Sequence, residues 1–261
     1  MKDIFFKFVL SFLSLILLSF IILPLLNIFI NAHYDVVITT MMEKEVYNSI
    51  LLTFKASLMS TFITIILGVP LAYILARKNF YGKAIIEGMI NLPIIIPHTA
   101  AGIALLTFFG KQFIGGKFFD YLNIDFVGNF SGIVIAMMFV SLPFLVNEVK
   151  EGFKQIDKRL EKVARTLGAS PFQTFFKVSI PLNLNHIISG AVMMWARGLS
   201  EFGAVMILAY HPITTPVLIY ERFTSFGLKY SVPVSVVMIT ITLIIFISLR
   251  IYQNKRVDIS D

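Results

Sequence analysis

The chain has 261 residues, of which 57% are hydrophobic and only 14% are charged, and its formal net charge is +7. A soluble domain usually carries about 25% charged residues, so this composition excludes an ordinary water-soluble fold. The sequence contains no cysteine, which excludes disulfide bonds and thiolate metal sites.

Six long apolar runs divide the sequence, and each is about as long as a helix that crosses a bilayer, which takes about 20 residues. In chain order they are residues 8–32, 56–76, 88–110, 126–147, 187–210 and 230–249. The first run is too long for the apolar core of a secretory signal, so we expect it to be retained. The sequence therefore predicts an all-α integral membrane protein with six transmembrane helices, in which residues 1–261 form a single transmembrane domain.

The basic residues predict the orientation of these helices. With the N-terminus inside, the cytosolic segments hold fifteen Lys and Arg residues and the outer segments hold five. This asymmetry satisfies the positive-inside rule and places both termini in the cytosol. The positive net charge then reflects orientation in a cell membrane, and no nucleic acid partner is needed to explain it.

The third run contains two prolines and a histidine. Pro93 and Pro97 each lack an amide donor and clash with the preceding turn, so we expect them to kink the helix. The freed carbonyl groups need partners, which suits a helix beside a cavity. His98 follows directly, either as a ligand for a proton or an anion or as a hydrogen-bonded bystander.

The longest cytosolic segment, about residues 148–182, begins with a predicted amphipathic helix. Asp157 can cap this helix. Its apolar positions have helical spacing, at Leu160, Val163, Ala164 and Leu167. Gly168 falls where a left-handed residue would end it. The pattern predicts a short helix with a defined start and stop.

A second short helix is predicted directly after this stop. Ser170 can act as its N-cap, Pro171 suits its first turn, and Gln173 can complete a capping box. An aromatic ridge is expected on this helix, formed by Phe172, Phe175 and Phe176. Pro181 is expected to end the helix before the fifth run. The whole segment is either an interfacial helix on lipid headgroups or a rigid shape that fits a protein groove.

The fifth run carries two charged residues within an apolar sequence. Arg197 and Glu201 are four residues apart and so share one helical face. Charges at this depth usually face a bundle interior or an aqueous path. They form an internal ion pair, line a translocation pathway or gate, or do both. The candidate pathway residues are Pro93, Pro97, His98, Arg197, Ser200 and Glu201.

The cytosolic segment resembles the EAA loop of permease subunits in binding-protein-dependent ABC importers. That pattern is Glu-Ala-Ala, three residues, Gly, nine residues, Ile, one residue and Leu-Pro, and it falls on Lys162, Val163, Ala164, Gly168, Val178, Ile180 and Pro181. Lys162 departs from the family's glutamate, although Glu161 precedes it, and Val163 replaces an alanine. The resemblance implies a coupling helix that docks into a cleft of an ATPase subunit. The residues implied in coupling are Leu160, Glu161, Val163, Ala164, Arg165, Leu167, Gly168, Ala169, Ser170, Pro171, Phe172, Phe175 and Phe176.

Three further stretches, residues 91–106, 195–210 and 216–228, resemble the molybdate/tungstate branch of this family, and sulfate and thiosulfate permeases share much of the pattern. The resemblance implies the type I importer permease (MetI-like) fold in a prokaryotic cell membrane, with the fifth helix lining the pathway. The implied partners are a second, identical permease copy, two cytosolic ATPase subunits that bind ATP and Mg, and an extracytoplasmic oxyanion-binding protein.

Motifs of catalysis are missing from the sequence. It contains no GxxxxGK[ST], HExxH or GxSxG pattern, so we expect no catalytic residue, metal or cofactor in this chain. The missing motifs also count against an intramembrane hydrolase. An ion-coupled secondary transporter is the other alternative, and it predicts discontinuous helices in corresponding positions of two halves.

Overall fold

A computed structural model describes residues 2–257, which are helical with short connections and contain no β-strand. The helices are α1 (Lys2–Ile30), α2 (Tyr34–Met42), α3 (Lys44–Arg77), α4 (Lys83–Ile95), α5 (His98–Phe109), α6 (Ile114–Tyr121), α7 (Phe130–Gln155), α8 (Lys158–Thr166), α9 (Pro171–Thr174), α10 (Ile180–Leu182), α11 (Leu184–Leu199), α12 (Gly203–Leu208), α13 (Thr215–Phe226) and α14 (Leu228–Val257). A π-helical turn, Phe175–Ser179, joins α9 to α10. The all-α prediction is therefore confirmed for the described residues.

Four of these helices are long and apolar enough to cross a membrane. They are α1, α3, α7 and α14, and they match the first, second, fourth and sixth predicted runs. The third run is a pair of helices, α4 and α5, which would make a fifth span if the pair is counted as one.

The third run breaks between α4 and α5, where the chain bends by 117°. Ile96 is extended, with ψ of 146°, because the residue before a proline is driven out of the helical region. Pro97 then occupies the N-cap position of α5, whereas Pro93 is buried inside α4. The expected distortion of this run is thus a full break, located at Pro97.

The fifth run is not the single helix that the sequence predicts. Residues 200–202 leave the helical path between α11 and α12. The Glu201 carboxylate accepts a hydrogen bond from the backbone N–H of Ala204, at 2.9 Å, in the first turn of α12. A side chain that caps a new N-terminus competes with continuation of the old helix, which explains the interruption.

Packing divides the chain into two compact units. Residues 49–217 form one, and the segments before and after them form the other. In the larger unit α7 lies against α5 and α12 at one end, around Met137 and Leu208, and against α11 and α3 at the other, around Phe153 and Met194. In the smaller unit α14 packs against α2, and the apolar side chains of α1 are largely exposed.

Helices α5 and α12 approach each other closely through glycines. A Cβ atom on Gly102 would lie 2.8 Å from Ile207 Cβ and 3.0 Å from the Cα of Ala204, and one on Gly203 would lie 2.9 Å from His98 Cβ. Small residues allow membrane helices this proximity. As a result, the break before α5 lies beside the break before α12.

We predict that Gly102→Ala destabilises the protein by about 1–3 kcal/mol, because the added methyl group must push α5 away from α12. Gly88→Ala is the matched control, since no atom lies within 4 Å of a Cβ there. Thermal unfolding of the detergent-purified protein should show a lower midpoint for the first variant only. A midpoint for Gly102→Ala at or above that of the wild type would contradict the close packing.

Candidate functional site

A polar cluster occupies the place where the two helix breaks meet. We call it the break cluster, and its members are His98, Arg197, Ser200 and Glu201. The Glu201 side chain is completely buried. Its Oε2 atom lies 3.0 Å from Arg197 Nη2 and 3.0 Å from His98 Nδ1, and its Oε1 atom accepts the Ala204 amide. A buried carboxylate is stable only when it is paired and hydrogen-bonded, and these three contacts meet that need.

The other members of the break cluster remain partly exposed. The side chain of Arg197 is 22% exposed and that of His98 is 35% exposed. Arg197 Nη1 donates to Ser200 Oγ at 3.3 Å, and the Ser200 hydroxyl donates to the Arg197 carbonyl at 3.1 Å. The exposed edge of the cluster therefore consists of hydrogen-bond donors, with the carboxylate behind them.

The break cluster brings together residues from two separate apolar runs, the third and the fifth. The predicted pair of Arg197 and Glu201 is present, and His98, 99 residues before Arg197 in the chain, lies 2.8 Å from Arg197 Nη2. Pro97 sets the break that presents His98, whereas Pro93 lies within α4. The sequence missed the contact across α5 and α11 because periodicity relates residues of one helix and carries no information on its neighbours.

A second candidate site is the segment that connects α7 to α11. We call residues 157–182 the elbow. Asp157 caps α8 by accepting the Arg159 amide at 2.8 Å, as predicted. Gly168 has φ of +89°, and the amides of Gly168 and Ala169 donate to the carbonyls of Arg165 and Ala164. These two bonds are a Schellman motif, so the predicted glycine stop is confirmed.

The predicted start of the second helix in the elbow is also confirmed. Ser170 Oγ accepts the Gln173 amide at 3.2 Å, and Gln173 Oε1 accepts the Ser170 amide at 2.9 Å. Pro171 occupies the first turn, where no amide donor is needed. The turn between α8 and α9 is therefore fixed at both ends by hydrogen bonds.

The predicted end of this second helix is wrong. The chain stays helical from Pro171 through the π-helical turn, and the path ends only at Asn183. The Ile180 amide donates to the Phe175 carbonyl five residues earlier, which widens the turn. The widened turn restarts the register, so Pro181 falls in the first turn of α10 and is tolerated there.

The predicted aromatic ridge contains two rings instead of three. Phe172 is 71% exposed and Phe176 is 49% exposed, and their ring centroids are 4.4 Å apart. Phe175 turns inward, where its ring centroid lies 4.8 Å from that of Tyr73 and 6.4 Å from that of Phe153. The sequence could not separate these rings, because the π-helical turn changes which positions share a face.

Glu161 holds the elbow against the end of α3. Its carboxylate lies 2.8 Å from Arg77 and accepts hydrogen bonds from Tyr73 at 3.1 Å and Ser179 at 3.0 Å. Arg77 also donates to the Ile156 carbonyl at 3.1 Å. The side chains of Glu161 and Arg77 are mostly buried. Glu161 is thus an internal anchor, which the sequence did not reveal because its partners lie on α3 and in the π-helical turn.

The exposed apolar side chains of the elbow lie away from this anchor. Leu160, Val163 and Leu167 are exposed. At about 100° per residue, they lie roughly 100–160° around α8 from Glu161. The remaining predicted elbow residues, Ala164 and Ala169, line a shallow hollow of about 390 Å³ with Leu167, Gly168, Gln173, Lys177 and Val178. We call Leu160, Val163, Leu167, Phe172 and Phe176 the docking surface.

Possible metal ligands are sparse at both sites in the described part of the chain. Across residues 2–257, no group of three or more His, Asp or Glu side chains is arranged to hold a metal ion. The break cluster contains only two such residues, and their nitrogen and oxygen atoms contact each other.

Comparison with known proteins gives a consistent result. Residues 68–257 match the family model described as the binding-protein-dependent transport system inner membrane component. The chain is 44% identical over 240 residues to the molybdate/tungstate transport system permease protein of Pyrococcus furiosus, covering 91% of each chain. It is 30% identical over 241 residues to a probable sulfate transport system permease protein of Helicosporidium sp. subsp. Simulium jonesii, covering 90% of this chain and 89% of the relative.

The fold is similar to that of solved importer permeases. A chain of a bacterial alginate ABC transporter, solved in complex with an alginate pentasaccharide-bound periplasmic protein, superposes with a TM-score of 0.74 at 16% sequence identity. The match covers 97% of this chain and 95% of that chain. The comparison supports the predicted all-helical type I importer permease fold.

We predict that Gly168→Val loosens the elbow, because a β-branched residue at positive φ costs about 1–3 kcal/mol. Gly227→Val is the matched control, with φ of +76° and equally open space around the Cβ position. Amide hydrogen exchange should quicken around Ala169 in the first variant and stay at the wild-type rate there in the second. Unchanged exchange in both variants would show that the turn does not depend on this glycine.

Proposed function

The chain belongs to the family of binding-protein-dependent transport system inner membrane components, and on this premise we propose that it carries molybdate or tungstate across the membrane as the permease subunit of an ATP-driven importer. It is a multi-pass membrane protein and a transport component, not an enzyme. The proposed ligand is the one named for the relative with 44% identity. Sulfate or thiosulfate is the alternative, favoured less because the sulfate relative is only 30% identical.

The observation that carries the coupling proposal is the rigid, exposed docking surface. The turn of the elbow is capped on both sides, and Glu161 ties α8 to Arg77 at the end of α3. The apolar side chains lie away from this anchor, which suits a protein partner on the far side of α8. An interfacial helix would instead direct them toward the lipid. We infer that the partner is the ATPase subunit.

Coupling would follow from this geometry. When two ATPase subunits close on ATP, each would carry a docked elbow with it. The Glu161–Arg77 contact and the Phe175 packing would pass the movement to α3 and α7. Rigid-body rocking of the helices would then open the pathway to one side and the other in turn. ATP and Mg would be bound by the ATPase and not by this chain.

The finer architecture is part of the same proposal. We infer six spans within one domain, residues 1–261, with α4–α5 and α11–α12 as the interrupted third and fifth spans and both termini in the cytosol. The partners would be an identical second copy, two ATPase subunits and an extracytoplasmic oxyanion-binding protein. Pro97 and the break cluster would border the pathway, because a broken helix at membrane depth is tolerated where it lines a cavity.

A secondary transporter would share one feature with this chain. Discontinuous helices are typical of ion-coupled carriers, and two breaks are present here. That class needs no ATPase, however, and leaves the docking surface without a purpose. Family membership and the elbow together favour the importer.

The topology is testable because the native chain has no cysteine. We expect an impermeant thiol reagent to label Ser170→Cys only from the cytosolic side and Lys117→Cys only from outside. Both side chains are exposed, so access is not limited by packing. The wild-type protein is the unlabelled control. Labelling of both positions from the same side would exclude the six-span arrangement with a cytosolic N-terminus.

The function is tested by reconstituting the permease with its ATPase and binding protein. We expect binding protein loaded with molybdate or tungstate to stimulate ATP hydrolysis and import, and binding protein loaded with sulfate to do so weakly. A Phe172→Ala, Phe176→Ala double variant should lose ATPase association, because buried aromatic anchors each contribute about 2 kcal/mol or more at interfaces.

Phe118→Ala is the matched control, since Phe118 is an exposed ring on α6, outside the elbow. It should retain ATPase association and transport. Normal transport by the Phe172 and Phe176 double variant would mean that the elbow is only an interfacial segment. Equal stimulation by sulfate would contradict molybdate or tungstate as the specific substrate, but it would still support an ATP-driven importer.

A further inference from the structure

We propose that the break cluster is a weak transit site for a tetrahedral oxyanion, with Arg197 and Ser200 as the ligand-contacting residues and Glu201 as the residue that keeps binding weak. The proposal rests on the proposed transport function and adds to it a specific site and a role for each charge. It starts from an uneven use of the hydrogen-bond donors of Arg197.

The Arg197 guanidinium has N–H groups on its exposed side that are not used in the contacts described above. A guanidinium group carries five N–H donors. Nη2 serves Glu201 and His98, and Nη1 contacts only Ser200, at 3.3 Å. Among the contacts within the described part of the chain, Nε has no partner and Nη1 keeps a second hydrogen. Arginine and a neighbouring hydroxyl are well suited to the oxygens of a tetrahedral anion.

Because Glu201 is buried, only hydrogen-bond donors of the site face the exposed edge. Its carboxylate is buried behind Arg197 and is held by the Ala204 amide, so it cannot swing toward the exposed edge. An anion on that edge would meet Arg197 Nη1 and the Ser200 hydroxyl, which can rotate away from its present acceptor. Helix α5 begins at His98, so the positive end of its dipole lies beside the same edge.

The charge of Glu201 sets the strength of binding. The ion pair neutralises Arg197, so an arriving dianion meets oriented donors without a full net positive charge. A transport site must bind its ion well enough to admit it and weakly enough to release it. Because the Glu201 carboxylate partly neutralises the Arg197 charge, the site would meet both conditions. Without Glu201, Arg197 and Ser200 would bind the anion too tightly to release it.

The test measures equilibrium binding of radiolabelled tungstate to the purified complex of permease and ATPase, without ATP or binding protein. We expect weak, molybdate-displaceable binding to the wild type. Arg197→Gln should weaken it at least about tenfold, as expected for losing a charged hydrogen-bond donor. Ser200→Ala should weaken it less. Glu201→Gln should tighten it by about tenfold and slow import, because the attenuating charge is removed while the shape is kept.

Lys55→Gln is the matched control, because it removes one positive charge from an exposed position on the membrane-spanning helix α3 and should leave tungstate binding unchanged. If Glu201→Gln fails to fold, the exposed Ser200→Ala and the Arg197→Gln variants still decide the question. Equal binding by wild type and Arg197→Gln, or no tungstate binding by the wild type, would overturn the proposal.

The outcome is separable from that of the importer proposal. Wild-type protein that is stimulated by loaded binding protein but binds tungstate independently of Arg197 would keep the importer and remove the transit site. Protein that binds tungstate through Arg197 but never responds to an ATPase or binding protein would support the site and overturn the importer.

Discussion

In the larger compact unit, the buried charged side chains are held in place by specific hydrogen-bond and ion-pair partners within the protein. A fully buried carboxylate must find its partners within the protein, and Glu201 finds three: the Arg197 side chain on α11, the His98 side chain on α5 and the Ala204 amide in α12. These contacts place the interruption of the fifth run beside the interruption of the third. The glycines allow α5 and α12 to approach closely, and the Glu201 carboxylate contacts both helices.

Glu161 is a second mostly buried carboxylate that is held by partners within the protein, at the elbow. Its carboxylate accepts from Arg77 and Tyr73 on α3, 84 and 88 residues away in the chain, and from Ser179 in the π-helical turn, 18 residues away. Each carboxylate therefore joins segments that the sequence separates by many residues. Glu201 joins α5, α11 and α12, whereas Glu161 joins the elbow to the end of α3, and exposed side chains lie on the opposite side of each.

The sequence predicted what depends on neighbouring residues. Four of the six apolar runs, the caps of α8 and α9 and the left-handed Gly168 all follow from local spacing and were confirmed. It failed where a helix is interrupted or widened and where contacts between helices decide the outcome. The fifth run reads as continuous because its apolar content is high, yet the capping by Glu201 interrupts it. Phe175 and Pro181 were misjudged for one reason, the π-helical turn, which shifts the helical register by one residue. The attachment of His98 to Arg197 and Glu201 needed the packing of α5 and was out of reach.

The exposed apolar side chains of the elbow also bear on the stability of a newly synthesised chain that has not yet bound a partner. Five large apolar groups on a stiff frame cannot retreat into the chain, because the capped turn and the Glu161 anchor hold them outward. If the elbow lies in the aqueous phase, as proposed, a newly made copy would expose these apolar groups there, and exposed apolar patches attract chaperones, proteases and other unfolded chains. In the proposed importer, balanced synthesis of permease and ATPase subunits would shorten the time for which these groups stay exposed. The side chains that are proposed to bind the ATPase would then also mark an unassembled permease for recognition.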